Sequence, residues 1–139
     1  MILLVGLAVA LAACSKKSAP APQSKTDAEL LVGKWYYEAD TVVNYTNGVE
    51  TSRDNSASQP TDYQQYNANG TALLSFGEVV SNLTYTLTGN VLTLKVPQQP
   101  AQKVTIRYIS TTGLYLYSET ADTDKNGNIY KTEEAAFLK

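Results

Sequence analysis

Two stretches of this chain combine residue types and spacings that could do chemistry. Asp122-Thr123-Asp124-Lys125-Asn126-Gly127, continuing to Glu133, has oxygen donors at positions 1, 3 and 5, glycine at 6 and glutamate at 12, the pattern of a twelve-residue calcium loop. Leu11-Ala12-Ala13-Cys14 puts the chain's one cysteine behind two small residues at the end of an apolar run, where a peptidase has room to cut. The remaining acids that invite attention, Glu38, Glu78 and Glu119, stand apart from any local nucleophile or phosphate loop. Histidine is absent, which removes the commonest general base and metal ligand, and with them Ser-His-Asp, Cys-His and His-metal chemistry. The expectation is no enzyme, no catalytic residues and no cofactor.

What positions the acidic loop decides its chemistry. A calcium loop of this kind needs a helix on each side, yet Leu114-Tyr115-Leu116-Tyr117 alternates as a strand does. In a hairpin turning at Asn126-Gly127, Asp124 sits opposite Ile129, which leaves Glu133 roughly 13 Å away at the rise of a strand. Calcium ligands must converge within about 2.6 Å of one ion. The loop is therefore expected to be a hairpin tip, and no metal site is expected.

The cysteine is read from its surroundings. Met1 to Ala13 is uncharged and aliphatic, too short to span a bilayer, and is followed abruptly by polar Ser15-Lys16-Lys17. This stretch resembles the lipobox of bacterial lipoproteins, an aliphatic residue, two small ones and a cysteine. The resemblance implies that residues 1–13 are a signal peptide and that Cys14 becomes the lipid-bearing first residue. Two or three acyl chains of the palmitate kind anchor stably where one would not. In such lipoproteins an aspartate after the cysteine favours the inner membrane; Ser15 stands here, so the outer membrane is implied. Basic Lys16-Lys17 in place of early acids implies a domain facing the periplasm. Ser15 to Lys25, rich in Ser, Ala, Pro and Lys, has no apolar periodicity and reads as a flexible tether with a reach of roughly 20 Å. The division is thus 1–13 signal peptide, 14–25 lipidated cysteine and tether, 26–139 folded domain.

Composition defines that domain's class. Eleven basic and thirteen acidic residues, net charge −2, do not make the basic face that nucleic acid requires. Ten tyrosines, two phenylalanines and frequent threonine suit half-buried pleated surfaces. Thr26-Asp27-Ala28-Glu29-Leu30-Leu31 offers one helical turn, capped at Ser24 or Thr26 and stopped at Gly33. Beyond it, turn signals at Asn47-Gly48, Asn69-Gly70, Gly89-Asn90, Thr112-Gly113 and Asn126-Gly127 separate segments of period two. The strands fall at 34–44, 49–53, 62–67, 71–76, 83–88, 91–96, 103–110, 114–120 and 128–138.

Register follows from the turns. A two-residue turn at Gly89-Asn90 places Tyr85 opposite Leu94 and Leu87 opposite Leu92, with Thr84, Thr86 and Thr93 on the other face. A three-residue loop Thr111-Thr112-Gly113, with Gly113 left-handed, puts Val104, Ile106 and Tyr108 on the face of Leu114 and Leu116. A meander with one dry face hides it by closing, so the expected fold is all-β, an up-and-down antiparallel barrel of about eight strands, with a two-sheet sandwich as its rival.

Leu31-Val32-Gly33-Lys34-Trp35 resembles the Gly-x-Trp opening of lipocalins, and the Tyr66 to Leu94 region is similar to the lipocalin-like domains of bacterial lipoproteins. The likeness covers about Leu30 to Lys139. It implies structural roles for Gly33 and Trp35, the latter packed against a basic residue near the chain's end, with Lys139 the candidate and Arg107 the alternative. Tyr37, Tyr85 and Tyr108, on the expected inner face, are the candidate ligand-binding residues for a small apolar or amphipathic molecule. The alternative is an envelope protein-interaction module, an inhibitor or assembly subunit, with a filled lumen. Its contacts would be made by outward Tyr115 and Tyr117 or by the loop Gly48 to Pro60.

Overall fold

A computed structural model of the chain describes residues 25–57, 59, 61–121 and 129–139. The signal-like run, Cys14, most of the tether and residues 122–128 of the acidic loop lie outside the described residues. A short helix α1 (Asp27–Leu31) leads into nine strands: β1 (Gly33–Thr46), β2 (Val49–Ala57), β3 (Tyr63–Tyr66), β4 (Thr71–Phe76), β5 (Val79–Thr88), β6 (Val91–Lys95), β7 (Gln102–Ile109), β8 (Gly113–Ala121) and β9 (Ile129–Leu138). Among the described residues no helix is long and apolar enough to cross a membrane.

Consecutive strands pair antiparallel, and β9 returns to pair with β1 from Tyr36 opposite Leu138 to Thr46 opposite Ile129. That last ladder closes the sheet into a barrel, and the two-sheet alternative is excluded. β1 is long enough to use one edge twice. Its first residues pair with β3, Tyr36 opposite Tyr63, and its far half pairs with β2, from Ala39 opposite Ala57 onward. The closed wall therefore has eight strands, β1 and β3–β9. β2 is an extra, wholly exposed strand that continues the line of β3 past the rim. The segment Gly48 to Pro60, read partly as a loop, is mostly this strand. At its start Asn47 and Gly48 both have positive φ, as the tight hairpin turn between β1 and β2 demands.

The β5–β6 hairpin has the expected register, Tyr85 opposite Leu94 and Leu87 opposite Leu92. Its threonines face outward. The β7–β8 hairpin differs. Ser110 N–H donates to Gly113 O at 2.9 Å, so the turn is the two-residue Thr111-Thr112, and Gly113 is not left-handed. The register then slips at Arg107, from Ile106 opposite Leu116 to Tyr108 opposite Tyr115. Strict alternation cannot bury both Ile106 and Ile109, which are three residues apart; one bulge does so and turns Tyr108 outward. A similar slip at Glu38 lets Trp35 and Tyr37 face inward and then hands that face to Asp40 and Val42. At the β8–β9 hairpin Ala121 pairs with Tyr130. A tip centred on Asn126-Gly127 would have paired it with Thr132.

The core lies inside the wall near the α1 end. Leu31, Trp35, Tyr66, Leu92, Leu114 and Phe137 are its most enclosed large side chains. One face of each strand supplies them, as period two requires.

Candidate functional site

The barrel is plugged at one end from below. Thr26 caps α1: its hydroxyl accepts from Glu29 N–H at 3.3 Å, and the Glu29 carboxylate accepts from Thr26 N–H at 2.8 Å, which also holds that carboxyl below its ordinary range. The capped turn presses Leu31 into the core and presents its carbonyl to Trp35, whose indole N–H donates to it at 2.7 Å. Trp35 has no exposed surface, so this bond satisfies a donor that would otherwise be stranded. Lys139 completes the plug. Its ammonium donates to Leu30 O at 2.9 Å and Val32 O at 2.8 Å and stands 4.5 Å from the Trp35 ring centroid. Burial, and then neighbouring Lys25, lower its pKa. Arg107 lies elsewhere, over the Tyr117 ring and paired with Glu134 on the outer wall.

Above the plug the lumen stays open. A cavity of about 730 Å³ is walled by Leu74, Phe76, Leu94, Val104, Leu116, Ala135 and Phe137 and rimmed by Lys103, Glu119, Lys131 and Glu133. Gln64 is the polar side chain at its floor, held by a hydrogen bond from the Tyr66 hydroxyl. Eight of the sixteen lining residues are apolar and eight polar, an amphipathic lining rather than a purely apolar one. Glu133, half-buried on the inner face of β9, has its pKa raised by burial and then by Asp40, with Lys131 acting the other way. Asp40 also faces inward, between Ala135 of β9 and Ser56 of β2, and its Oδ1 is enclosed without a hydrogen-bond partner among the described residues.

The three tyrosines proposed from the sequence do not converge. Tyr37 stands behind the cavity wall, edge-on to Phe76 at 5.6 Å and to Phe137 at 5.4 Å, and burial raises its pKa. Tyr85 packs edge-on to Tyr66 at 5.1 Å, and its hydroxyl donates to Asn67 O in the β3–β4 turn. Tyr108 is on the outside, 53% exposed, edge-on to Tyr115. Its inner placement is corrected by the bulge at Arg107. Half of the residues that do line the cavity are aliphatic or phenylalanine, and half are polar. Most occupy the inner positions of the alternating pattern, which is the sequence signal that names them.

Tyr115 faces outward, as the strand pattern had it, and Tyr117 does too. Glu133, the twelfth residue of the calcium-like loop, sits within β9 and faces the lumen. Among the described residues no group of three or more potential ligands could hold a metal ion.

No protein-family model matches the chain, and no curated protein does. Among solved structures, the bovine lipocalin allergen Bos d 2 is similar to it, with a TM-score of 0.46 and 16% identity over 80% of this chain and 74% of that one.

Proposed function

We propose that this chain is a lipid-anchored lipoprotein of the bacterial cell envelope whose barrel holds a small apolar or amphipathic molecule. The observation that carries the binding role is the lumen: about 730 Å³ of space behind a leucine and phenylalanine wall, closed below by Trp35 and open at a polar rim. Side chains could have filled that space. A fold under selection only for stability gains by filling it, because unfilled apolar space forfeits packing contacts. The cavity favours this reading over an interaction module with a filled interior. Burial of an apolar ligand of ordinary size contributes roughly 25 cal/mol per Å² of apolar surface removed from water. The rim charges orient one polar end.

The anchoring half of the proposal rests on Leu11-Ala12-Ala13-Cys14 and the polar tether behind it. Ser15 and Lys16-Lys17 favour the outer membrane and a periplasm-facing domain. No catalytic role is proposed.

An environment-sensitive apolar dye tests the lumen. It should bind with one site per chain, and Leu94→Trp, which sets an indole into the cavity, should weaken binding; even an overpacked core costs only about 1–3 kcal/mol, so the variant still folds. Dye binding unchanged by Leu94→Trp would contradict the site. For the anchor, Cys14→Ala should remain unprocessed and carry no acyl chains.

A further inference from the structure

The outside of the barrel is two surfaces. On β5 and β6 the outer positions are Val80, Asn82, Thr84, Thr86, Thr88, Val91, Thr93 and Lys95, a mostly polar wall rich in threonine. The opposite wall is aromatic. Tyr63, Tyr36 and Leu138 lie side by side across β3, β1 and β9, and Tyr115 and Tyr108 continue the patch across β8 and β7. Leu138 faces Gly113 and Tyr115 faces Ala136, so small residues leave the rings uncovered. Of the eight large apolar residues exposed among the described residues, four (Tyr36, Tyr108, Tyr115 and Leu138) fall in this patch. Its concentration on one side is not needed by the fold, since the threonine wall shows what the fold requires.

The patch lies where the chain leaves the barrel. Lys139, the neighbour of Leu138, holds the carbonyls of Leu30 and Val32 at the end of α1. Thr26 caps that five-residue helix, so Lys25, the last tether residue, is within about 10 Å of this corner. The far end of β1, fourteen residues long, is about 45 Å away. We propose that the tyrosine patch seats on the bilayer surface to which the chain is anchored; this rests on the anchoring read above. A tether of roughly 20 Å reach lets this side of the barrel come to the headgroups.

The chemistry of the patch fits a headgroup zone. Tyrosine has an apolar body and a polar tip and is enriched at membrane interfaces for that reason. Lys34 stands 3.5 Å from the Tyr63 ring centroid and 5.0 Å from that of Tyr36, so its cation rides on the aromatic surface and can meet lipid phosphate. Glu134, the nearest acid on β9, is taken up by Arg107. Seated this way, the barrel lies on its side and its mouth opens along the membrane plane.

The test uses the full acylated chain in vesicles of phosphatidylcholine with one-quarter phosphatidylglycerol. Because Cys14 is blocked by acylation, spin labels can be placed at Tyr115→Cys or Leu138→Cys in the patch and at Thr86→Cys on the threonine wall. Labels at 115 and 138 should be more accessible to oxygen than to a nickel chelate, while the label at 86 shows the reverse. Equal aqueous exposure at all three positions on bound protein would overturn the docking and leave the anchor standing. Patch labels that stay aqueous on pure lipid yet become buried in whole envelope membranes would overturn it in favour of a protein partner. Acylated protein that does not float with vesicles would overturn the anchoring and the docking together.

Discussion

Lys139 crosses Gly33 so closely that its Cε lies 2.6 Å from where a Cβ on residue 33 would stand. Gly33 has φ +132°, a conformation L side chains rarely adopt. The two facts have one cause: the chain must turn sharply from α1 into β1 while leaving a path for the last side chain to reach the carbonyls above Trp35. Gly33→Ala should therefore destabilise by about 1–3 kcal/mol through backbone strain alone, with the clash added. Lys139→Ala should cost about 1–2 kcal/mol from the lost hydrogen bonds and ring contact. In the double variant the clash is gone, so the sum should fall short of additivity, which urea unfolding of all four proteins would show.

How much of this was legible in the sequence can be argued from particular strands. Turn dipeptides and period two located the strands, because a turn residue and an alternating face are local properties. They set the β5–β6 register too, where Gly89-Asn90 admits one short turn. They missed the slips at Arg107 and Glu38, because a bulge is set by which residues the opposite wall needs inside, a tertiary demand. Tyr108 was misplaced for that reason. The cavity's volume is not legible there: alternation says which side chains point inward, but not whether they meet. The outer tyrosine patch needed the pairing of β1 with β9, two segments at opposite ends of the domain.

The indole bond predicts a second outcome. Trp35→Phe removes the donor to Leu31 O and leaves a buried carbonyl unpaired, at a cost of about 1–3 kcal/mol. The loss should be local first. Hydrogen exchange in α1 should speed up more than in β5 and β6; uniform acceleration would mean that the plug is not a separate unit.

Glu133 predicts a pH dependence. Its folded pKa is raised above the ordinary 4.5, so the folded state binds the proton more tightly than the unfolded chain. Stability is then full below 4.5 and declines as pH rises through that value towards the folded pKa. Glu133→Gln should raise the Tm at pH 7, with the difference vanishing below about pH 4. A Gln variant less stable than the parent at pH 7 would show that the ionised carboxylate has a partner that Lys131 alone does not account for.

Calcium makes a further check. A ligand that binds only the folded state at a hundred times its Kd stabilises by about 2.7 kcal/mol, a shift of several degrees. With Glu133 held in β9, millimolar calcium should leave the Tm unchanged. A large upward shift would restore the acidic loop as a metal site.

The lumen is the centre of the account, and native mass spectrometry of the protein extracted from the membranes that produce it tests it most directly. The predicted spectrum shows the acylated chain with an additional small molecule, lost on mild activation and less abundant on Leu94→Trp. Parent and variant spectra that match apart from the mass of the substitution, with no adduct on either, would contradict a ligand-holding barrel.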